Sequence, residues 1–144
     1  MTSTRLGSTL VALSIGVLAV VGLSACGSDD DAQGPACTVV EPTDGMTLLT
    51  VTGKNLAFDV NCFEIEPGPV EFTFHNEDAN VAHNLHLTGP DVNVATDLEP
   101  GKTTQSLSAE LIQPGRYDFV CDPHATMEGS IIVVDPAAAS TTAA

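Results

Sequence analysis

The sequence has few basic residues: four Lys and Arg stand against 19 Asp and Glu, giving a formal net charge of −15 at pH 7. Nucleic acid is excluded as a partner, because binding its phosphate backbone requires Lys and Arg. Electrostatic attachment to an anionic lipid surface is excluded for the same reason. The chain is nevertheless 43% hydrophobic, too much for a disordered acidic protein. The sequence therefore predicts a folded domain with an acidic surface.

The sequence also lacks an apolar run of the about 20 residues that a membrane-spanning helix needs. The run from Leu10 to Leu23 is shorter and is typical of the centre of a secretory signal peptide. At its end, Leu23-Ser24-Ala25-Cys26 resembles the lipobox of bacterial lipoproteins, in which cleavage leaves a lipidated N-terminal cysteine. We therefore expect a signal peptide over residues 1–25, and acyl chains such as palmitate on Cys26 that anchor the protein stably at a membrane. The alternative is cleavage after Ala25 without lipidation.

Polar or low-complexity segments flank the rest of the chain. Residues 26–36 are rich in Gly and Asp and predict a flexible tether. Residues 136–144 (PAAASTTAA) predict a disordered tail. The intervening residues 37–135 suffice for one modest hydrophobic core and no second domain. We expect one domain there, in a monomeric protein.

Helical periodicity is absent from residues 37–135. Alternation of apolar and polar residues, punctuated by Pro- and Gly-rich turns, instead recurs about every 8–12 residues. The predicted strands are Thr47–Thr52, Leu56–Val60, Val70–His75, His83–Thr88, Val92–Asp97, Thr103–Leu107, Arg116–Cys121 and Ser130–Val134. Many short strands at this spacing predict an all-β fold, either a sandwich or a barrel.

Four side chains in this region form a pattern that suits a metal. Alternation places His83 and Cys121 on core-facing rows near strand ends, where sandwiches carry their sites. The segment Cys-Asp-Pro-His-Ala-Thr-Met adds His124 and Met127 close to the thiol. Two imidazoles, one thiolate and a weak axial thioether form the type 1, or blue, copper arrangement. Zinc prefers four short tetrahedral bonds and gains little from a thioether, so the pattern predicts one copper ion.

The same segment carries a family resemblance. Residues 115–124 (GRYDFVCDPH) resemble the ligand strand of the cupredoxins, the plastocyanin- and amicyanin-like blue copper proteins. The Cys-x-x-His-x-x-Met spacing, with Gly129 two residues beyond the Met, is most similar to the amicyanin pattern. Upstream, residues 70–76 (VEFTFHN) and 81–85 (VAHNL) resemble the segment that bears the first His ligand. The resemblance implies a Greek-key β-sandwich of about seven or eight strands.

The resemblance also implies a role for each residue of the site. The implied copper ligands are the thiolate of Cys121, the imidazoles of His83 and His124, and the axial sulfur of Met127. Asn84, which follows the first His, is implied to tie the two ligand loops together. Pro123 has no N–H, so one possible hydrogen bond to the Cys121 sulfur is missing, which we expect to lower the reduction potential.

Two further histidines, His75 and His86, fall on the outward-facing parity of their strands without a sulfur neighbour. We interpret both as surface residues. The alternative is a second, weak copper-loading site that involves them.

Two cysteines are left once Cys26 and Cys121 are assigned. Exported proteins usually join spare thiols, so we predict a disulfide between Cys37 and Cys62. The bridge would hold the N-terminal segment against the sandwich and contribute roughly 3 kcal/mol to stability in the chain-entropy description. Two free thiols are the alternative.

These features predict a one-electron carrier, not an enzyme, that cycles Cu(I) and Cu(II) at the extracytoplasmic face of the cell membrane. The alternative is a protein for copper buffering or delivery without redox turnover. Delivery proteins more often use Met-rich clusters, and this chain has three Met. An oxidase or nitrite reductase needs further copper ligands, for which the domain has no room. We expect a redox partner protein with a basic docking surface, attracted by acidic residues around His124.

Overall fold

A computed structural model describes residues 36–135 as two β-sheets and a short two-stranded ribbon. The strands are β1 Thr38–Val40, β2 Thr47–Lys54, β3 Ala57–Phe58, β4 Cys62–Ile65, β5 Gly68–Asn76, β6 Ala82–His83, β7 His86–Gly89, β8 Val92–Ala95, β9 Glu99–Pro100, β10 Thr103–Leu111, β11 Gly115–Cys121 and β12 His124–Val133. The six-stranded sheet has the order β1-β4-β12-β11-β7-β8, the four-stranded sheet has the order β10-β5-β2-β3, and β6 pairs with β9. The predicted all-β Greek-key sandwich is confirmed.

Alternation along the strands builds the core between the two sheets. In β5, Val70, Phe72 and Phe74 are buried, whereas the residues between them are partly exposed. Phe119 on β11 faces them from the other sheet, and Phe58 joins the two sides, with its ring centroid 6.1 Å from that of Phe74 and 5.4 Å from that of Phe119. Phe58 therefore packs against the aromatic side chains of both sheets.

Two predicted strands differ from the observed ones beside the site. The single strand His83–Thr88 is divided into β6 and β7, because Leu85 leaves the ladder to pair with Thr96: its N–H donates to the Thr96 hydroxyl at 2.9 Å, and its carbonyl accepts from the Thr96 N–H at 3.0 Å. The predicted last strand, Ser130–Val134, begins earlier in the structure, at His124. As a result, His83 is the last residue of β6 and His124 is the first residue of β12.

Other boundaries differ because the chain forms long-range contacts. The predicted strand Leu56–Val60 contracts to β3, since Asn55 and Leu56 form a turn with φ values of 54° and 59°. Strands β1, β4 and β9 were not predicted. Both β1 and β4 are short, and β4 is held in parallel pairing by β1 on one side and by β12 on the other. Such pairing depends on partners far away in the sequence and leaves little local pattern.

The predicted disulfide between Cys37 and Cys62 is present in the structure. It joins the residue before β1 to the first residue of β4, across 25 positions of the chain. The edge strand β1 is thus covalently attached to the neighbour with which it pairs.

Replacing Cys37 and Cys62 together with Ser should lower the free energy of unfolding by about 3 kcal/mol, because the unfolded chain regains the entropy of an open loop. Urea denaturation of the oxidised wild type and the double variant measures the difference. Reduced wild type serves as the control and should match the variant. Equal midpoints for oxidised wild type and variant would contradict a stabilising role for the bridge.

Several predicted segments lie outside the described residues: the signal peptide 1–25, the lipidation site Cys26, most of the tether 26–36 and the tail 136–144. Between residues 36 and 135, no helix is long and apolar enough to cross a membrane.

Candidate metal centre

Three potential ligands meet at one end of the sandwich. His83 ends β6, Cys121 ends β11 and His124 begins β12, and their ligand atoms all lie within 4.8 Å of one another. The Cys121 Sγ is 3.5 Å from Nδ1 of His83 and 3.4 Å from Nδ1 of His124. The two Nδ1 atoms are 3.1 Å apart. Each ring therefore presents the same nitrogen to a common point beside the sulfur.

A tight connection between β11 and β12 brings Cys121 and His124 together. The two residues pair with each other where the register of the two strands shifts, with Asp122 and Pro123 between them. Proline fixes its own φ and suits such a turn. His83 and Cys121 are 0% and 2% exposed, whereas His124 is partly exposed. The His124 imidazole is thus the part of this cluster that reaches the solvent.

Met127 lies on β12, in the same strand as His124, and is fully buried. It packs against β2: a Cβ added at Gly53 would lie 3.1 Å from the Met127 Cε and 3.3 Å from the Phe74 ring. Gly53 therefore leaves room for the Met127 methyl group. The structure places Met127 in the core, and its role as the axial ligand stays a prediction.

Asn84, which follows His83, is hydrogen-bonded to Asp122, which follows Cys121. Its side-chain N–H donates to the Asp122 carboxylate at 2.7 Å, and its carbonyl accepts from the Asp122 backbone N–H at 3.0 Å. The residue after the first His is thereby joined twice to the residue after Cys121. This link restrains the spacing between the two loops.

His86 extends the same link from a partly exposed position. Its Nδ1 is 2.8 Å from the Asp122 carboxylate and its Nε2 is 2.8 Å from the side-chain amide oxygen of Asn93, and the side chain is 25% exposed. The usable signal was its position two residues after Asn84, which gives both side chains the same parity. His75 contacts Thr104 at 2.9 Å instead. Neither histidine joins a metal-ligand cluster in the described part of the chain.

Asp78, which no sequence motif indicated, contacts His83. Its carboxylate lies 2.9 Å from Nε2 of His83, the nitrogen that points away from Cys121. A backbone hydrogen bond from Asn55, and then the bond to His83, lower the pKa of Asp78 below its usual range. An ionised carboxylate only accepts, so Nε2 carries the proton and Nδ1 keeps its lone pair for a metal. No local pattern marks Asp78, because it lies in a loop.

Burial raises the pKa of the Cys121 thiol, while backbone hydrogen bonds from Asn84 and His124 act in the opposite direction. The free cysteine is therefore a thiol at neutral pH. A metal ion that binds there must displace a proton, because the thiolate is the ligand.

The donor chemistry fits copper. One thiolate and two imidazoles converge, a thioether is buried in the adjoining strand, and soft sulfur together with imidazole suits both Cu(I) and Cu(II). His83, Cys121 and His124 would hold the ion, with Met127 as the predicted axial donor.

The pair of His86 and Asp122 should stabilise the fold at low rather than high pH. Hydrogen bonds with Asp122 and then with Asn93 raise the pKa of His86 above 6.5. Since the folded-state pKa is the higher one, this stabilisation is fully present below about pH 6.5 and is lost as the pH rises through the folded-state value. The same contact lowers the pKa of Asp122, which stays ionised in this window. The Asp122 side chain is 51% exposed, so screening limits the effect to below about 1 kcal/mol.

Urea unfolding of the metal-free wild type and of His86→Gln tests this effect. Glutamine can hydrogen-bond but carries no charge. The difference in unfolding free energy between the two proteins should be largest in mildly acidic buffer and shrink in alkaline buffer. A difference that does not change with pH would contradict the ion pair.

Comparisons with known proteins agree with the fold. The sequence matches the Cupredoxin-like domain family over residues 17–133. It is 34% identical over 62 residues to amicyanin-alpha of Methylorubrum extorquens, a stretch that covers 42% of this chain and about half, 51%, of that relative.

Solved structures show a similar fold. Reduced auracyanin from Roseiflexus castenholzii has a TM-score of 0.54 at 21% identity, over 61% of this chain and 97% of that one. Rusticyanin from Thiobacillus ferrooxidans has a TM-score of 0.55 at 20% identity, over 69% of this chain and 84% of that one. Auracyanin A of Chloroflexus aurantiacus, a blue copper protein, has a TM-score of 0.54 at 21% identity, over 62% and 99% of the two chains. Because the family match spans most of the sequence and the ligand atoms converge, this chain belongs to the cupredoxin family.

Proposed function

We propose that this protein is a one-electron carrier built on a single type 1 copper site. The observation that carries the proposal is the convergence of His83 Nδ1, His124 Nδ1 and Cys121 Sγ within 4.8 Å at one end of the sandwich. Bound copper supplies a couple between Cu(I) and Cu(II). The chain supplies a ligand arrangement that suits both oxidation states, which keeps reorganisation small during electron transfer.

Contacts around the ligands keep the arrangement fixed. The two hydrogen bonds between Asn84 and Asp122 join the loops, and Asp78 holds the His83 ring by its Nε2. His83 and Cys121 are buried, so the partly exposed edge of His124 is the route by which an electron reaches a partner. This role requires no substrate-binding position, and we propose a carrier rather than an enzyme.

We propose that the protein acts at the extracytoplasmic face of the cell membrane. In this proposal residues 1–25 are removed as a signal peptide, Cys26 carries the lipid anchor, residues 26–36 form the tether and residues 37–135 form the copper domain. The disulfide between Cys37 and Cys62 supports the location, because such bonds persist in oxidising compartments. Mass spectrometry of the membrane-extracted protein should find a diacyl- or triacyl-modified Cys26 at the N-terminus; an unmodified one would overturn the anchor.

We propose that the monomeric carrier meets a redox partner with a basic docking surface. Two acidic residues border the site: Asp122 follows Cys121, and Glu99 pairs with His83 between β9 and β6. Their charge would attract a basic partner and raise the association rate. The second-order electron-transfer rate with a basic redox protein should fall as salt is added. A rate independent of salt would contradict steering by these residues.

Reconstitution with Cu(II), followed by visible spectroscopy and a redox titration, tests the proposed function. We expect an intense thiolate-to-copper band and a reversible one-electron couple. Copper binding without a reversible couple would instead favour buffering or delivery. Absence of the band would overturn the type 1 site.

A further inference from the structure

We infer that Asp78 and the turn between β2 and β3 form a clamp on His83 that lowers the reduction potential of the copper site. The clamp consists of the Asp78 carboxylate and the backbone of Asn55 and Leu56. The inference rests on the proposed electron-carrier function, since it concerns the potential of the same site.

The Asp78 carboxylate contacts both the His83 ring and the turn between β2 and β3. Asp78 lies in the loop between β5 and β6, and its side chain is 15% exposed. One oxygen, Oδ2, lies 2.9 Å from Nε2 of His83. The other, Oδ1, accepts from the Asn55 N–H at 3.0 Å, and the Leu56 N–H is 3.5 Å from Oδ2. A single carboxylate thus joins a ligand ring to a hairpin turn.

The turn between β2 and β3 has a left-handed backbone conformation. Asn55 and Leu56 both have positive φ, at 54° and 59°. The left-handed region costs a residue with a side chain roughly 1–2 kcal/mol. Here it turns two successive N–H groups toward one carboxylate, as in the backbone concavities that bind anions. The unfavourable conformation of Leu56 therefore occurs where the backbone holds Asp78 in place.

The turn also contacts the segment between His124 and Met127. The Thr126 hydroxyl donates to the Leu56 carbonyl at 3.4 Å, and Thr126 lies between His124 and Met127. The turn thus contacts the loop of the first ligand through Asp78 and the segment of the other ligands through Thr126.

The negative charge of the Asp78 carboxylate also acts on the copper site. The Asp78 carboxylate accepts a hydrogen bond from Nε2–H of His83, and its negative charge would thus lie on the far side of the imidazole ring from a copper ion held by Nδ1. A negative charge stabilises the more positive oxidised state over the reduced state, which lowers the reduction potential. The neighbouring acid, Glu77, points elsewhere and pairs with Lys54 at 2.7 Å. Glu77 therefore offers a control with the same charge, held by Lys54 instead of by His83.

The experiment compares Asp78→Asn with Glu77→Gln in the copper-loaded full-length protein, with the reduction potential and the visible spectrum as readouts. Contacts of this kind change metal affinity about 10–100-fold. We expect Asp78→Asn to weaken binding of Cu(II) relative to Cu(I) about tenfold, an upward shift of about 59 mV for a one-electron couple. Glu77→Gln should shift the potential much less, because only the longer-range charge is lost. Asp78→Glu keeps the negative charge, so its reduction potential should lie closer to that of the wild type than the potential of Asp78→Asn does.

A second measurement does not depend on a variant that folds. In the metal-free wild type, NMR should show a slowly exchanging Nε2–H on His83, shifted downfield by its bond to Asp78; rapid exchange would overturn the clamp. Equal shifts in potential for Asp78→Asn and Glu77→Gln would overturn it as well. A wild type that shows no reversible couple would defeat the proposed function instead, and the NMR result would still decide whether the clamp exists.

Discussion

Replacing Cys121 with Ser should abolish both the intense visible band of the Cu(II)-loaded protein and its reversible one-electron couple. Cys121 Sγ lies 3.5 Å and 3.4 Å from the two imidazole nitrogens that face it, so it is the sulfur at the centre of the site. A serine hydroxyl is smaller, harder and far less easily ionised than a thiol, and it supplies no thiolate-to-copper charge transfer. Visible spectroscopy and redox titration after reconstitution measure the loss.

Met127→Leu is the matched control for this experiment. It removes the thioether of the predicted axial ligand but keeps the thiolate and both imidazoles. We expect this variant to retain copper and its colour and to shift the reduction potential upward, since a weak donor to the oxidised ion is gone. Retention of the visible band by Cys121→Ser would show that the ligand assignment is wrong.

Truncating Phe119 to Ala should lower the free energy of unfolding by about 3–5 kcal/mol, as for other large-to-small changes of buried aromatic residues. Phe119 is fully buried, with ring centroids 5.4 Å from Phe58 and 6.2 Å from Phe63. It pairs across the strands with Gly129, and a Cβ at Gly129 would lie 2.1 Å from the Phe119 Cζ. The ring therefore occupies the space that a side chain at position 129 would need.

This overlap predicts strong coupling between the two positions. In the wild type, Gly129→Ala should destabilise the fold by about 1–3 kcal/mol, because the methyl group displaces the ring. In the Phe119→Ala background the same methyl group enters vacated space and should be nearly neutral or stabilising. Urea unfolding of the wild type, both single variants and the double variant yields a coupling energy of about 0.5–3 kcal/mol. Additive effects would contradict the packing of the ring over Gly129.

The centre of the site could be predicted because its signals are local. The spacing of Cys121, His124 and Met127 lies within one short segment, and strand parity placed Cys121 and His83 on the buried rows where the structure has them. The turn between Cys121 and His124 needs no distant partner to form. His83, Cys121 and His124, whose ligand atoms meet in the structure, were therefore predictable from the sequence.

Apart from Asn84, which the resemblance implied, the residues that support the site were not predicted, because their partners are distant in sequence. Asp78 meets Asn55 across 23 positions, and His86 meets Asp122 across 36. Leu56 was assigned to a strand on its apolar side chain, whereas the turn imposes a positive φ on its backbone. Pairings of this kind arise only when the sheets are assembled, and they leave no periodicity in a single sequence.

The disulfide has a mechanical consequence. The edge strand β1 has a neighbour on one side only, whereas β4 lies between β1 and β12. A pulling force applied to the chain before Cys37 passes through the covalent bond to Cys62, at the start of β4 and opposite Ser130 of β12. The force therefore acts on an interior strand and bypasses the short hydrogen-bonded ladder of β1, which would otherwise be the first part of the sheet to peel away.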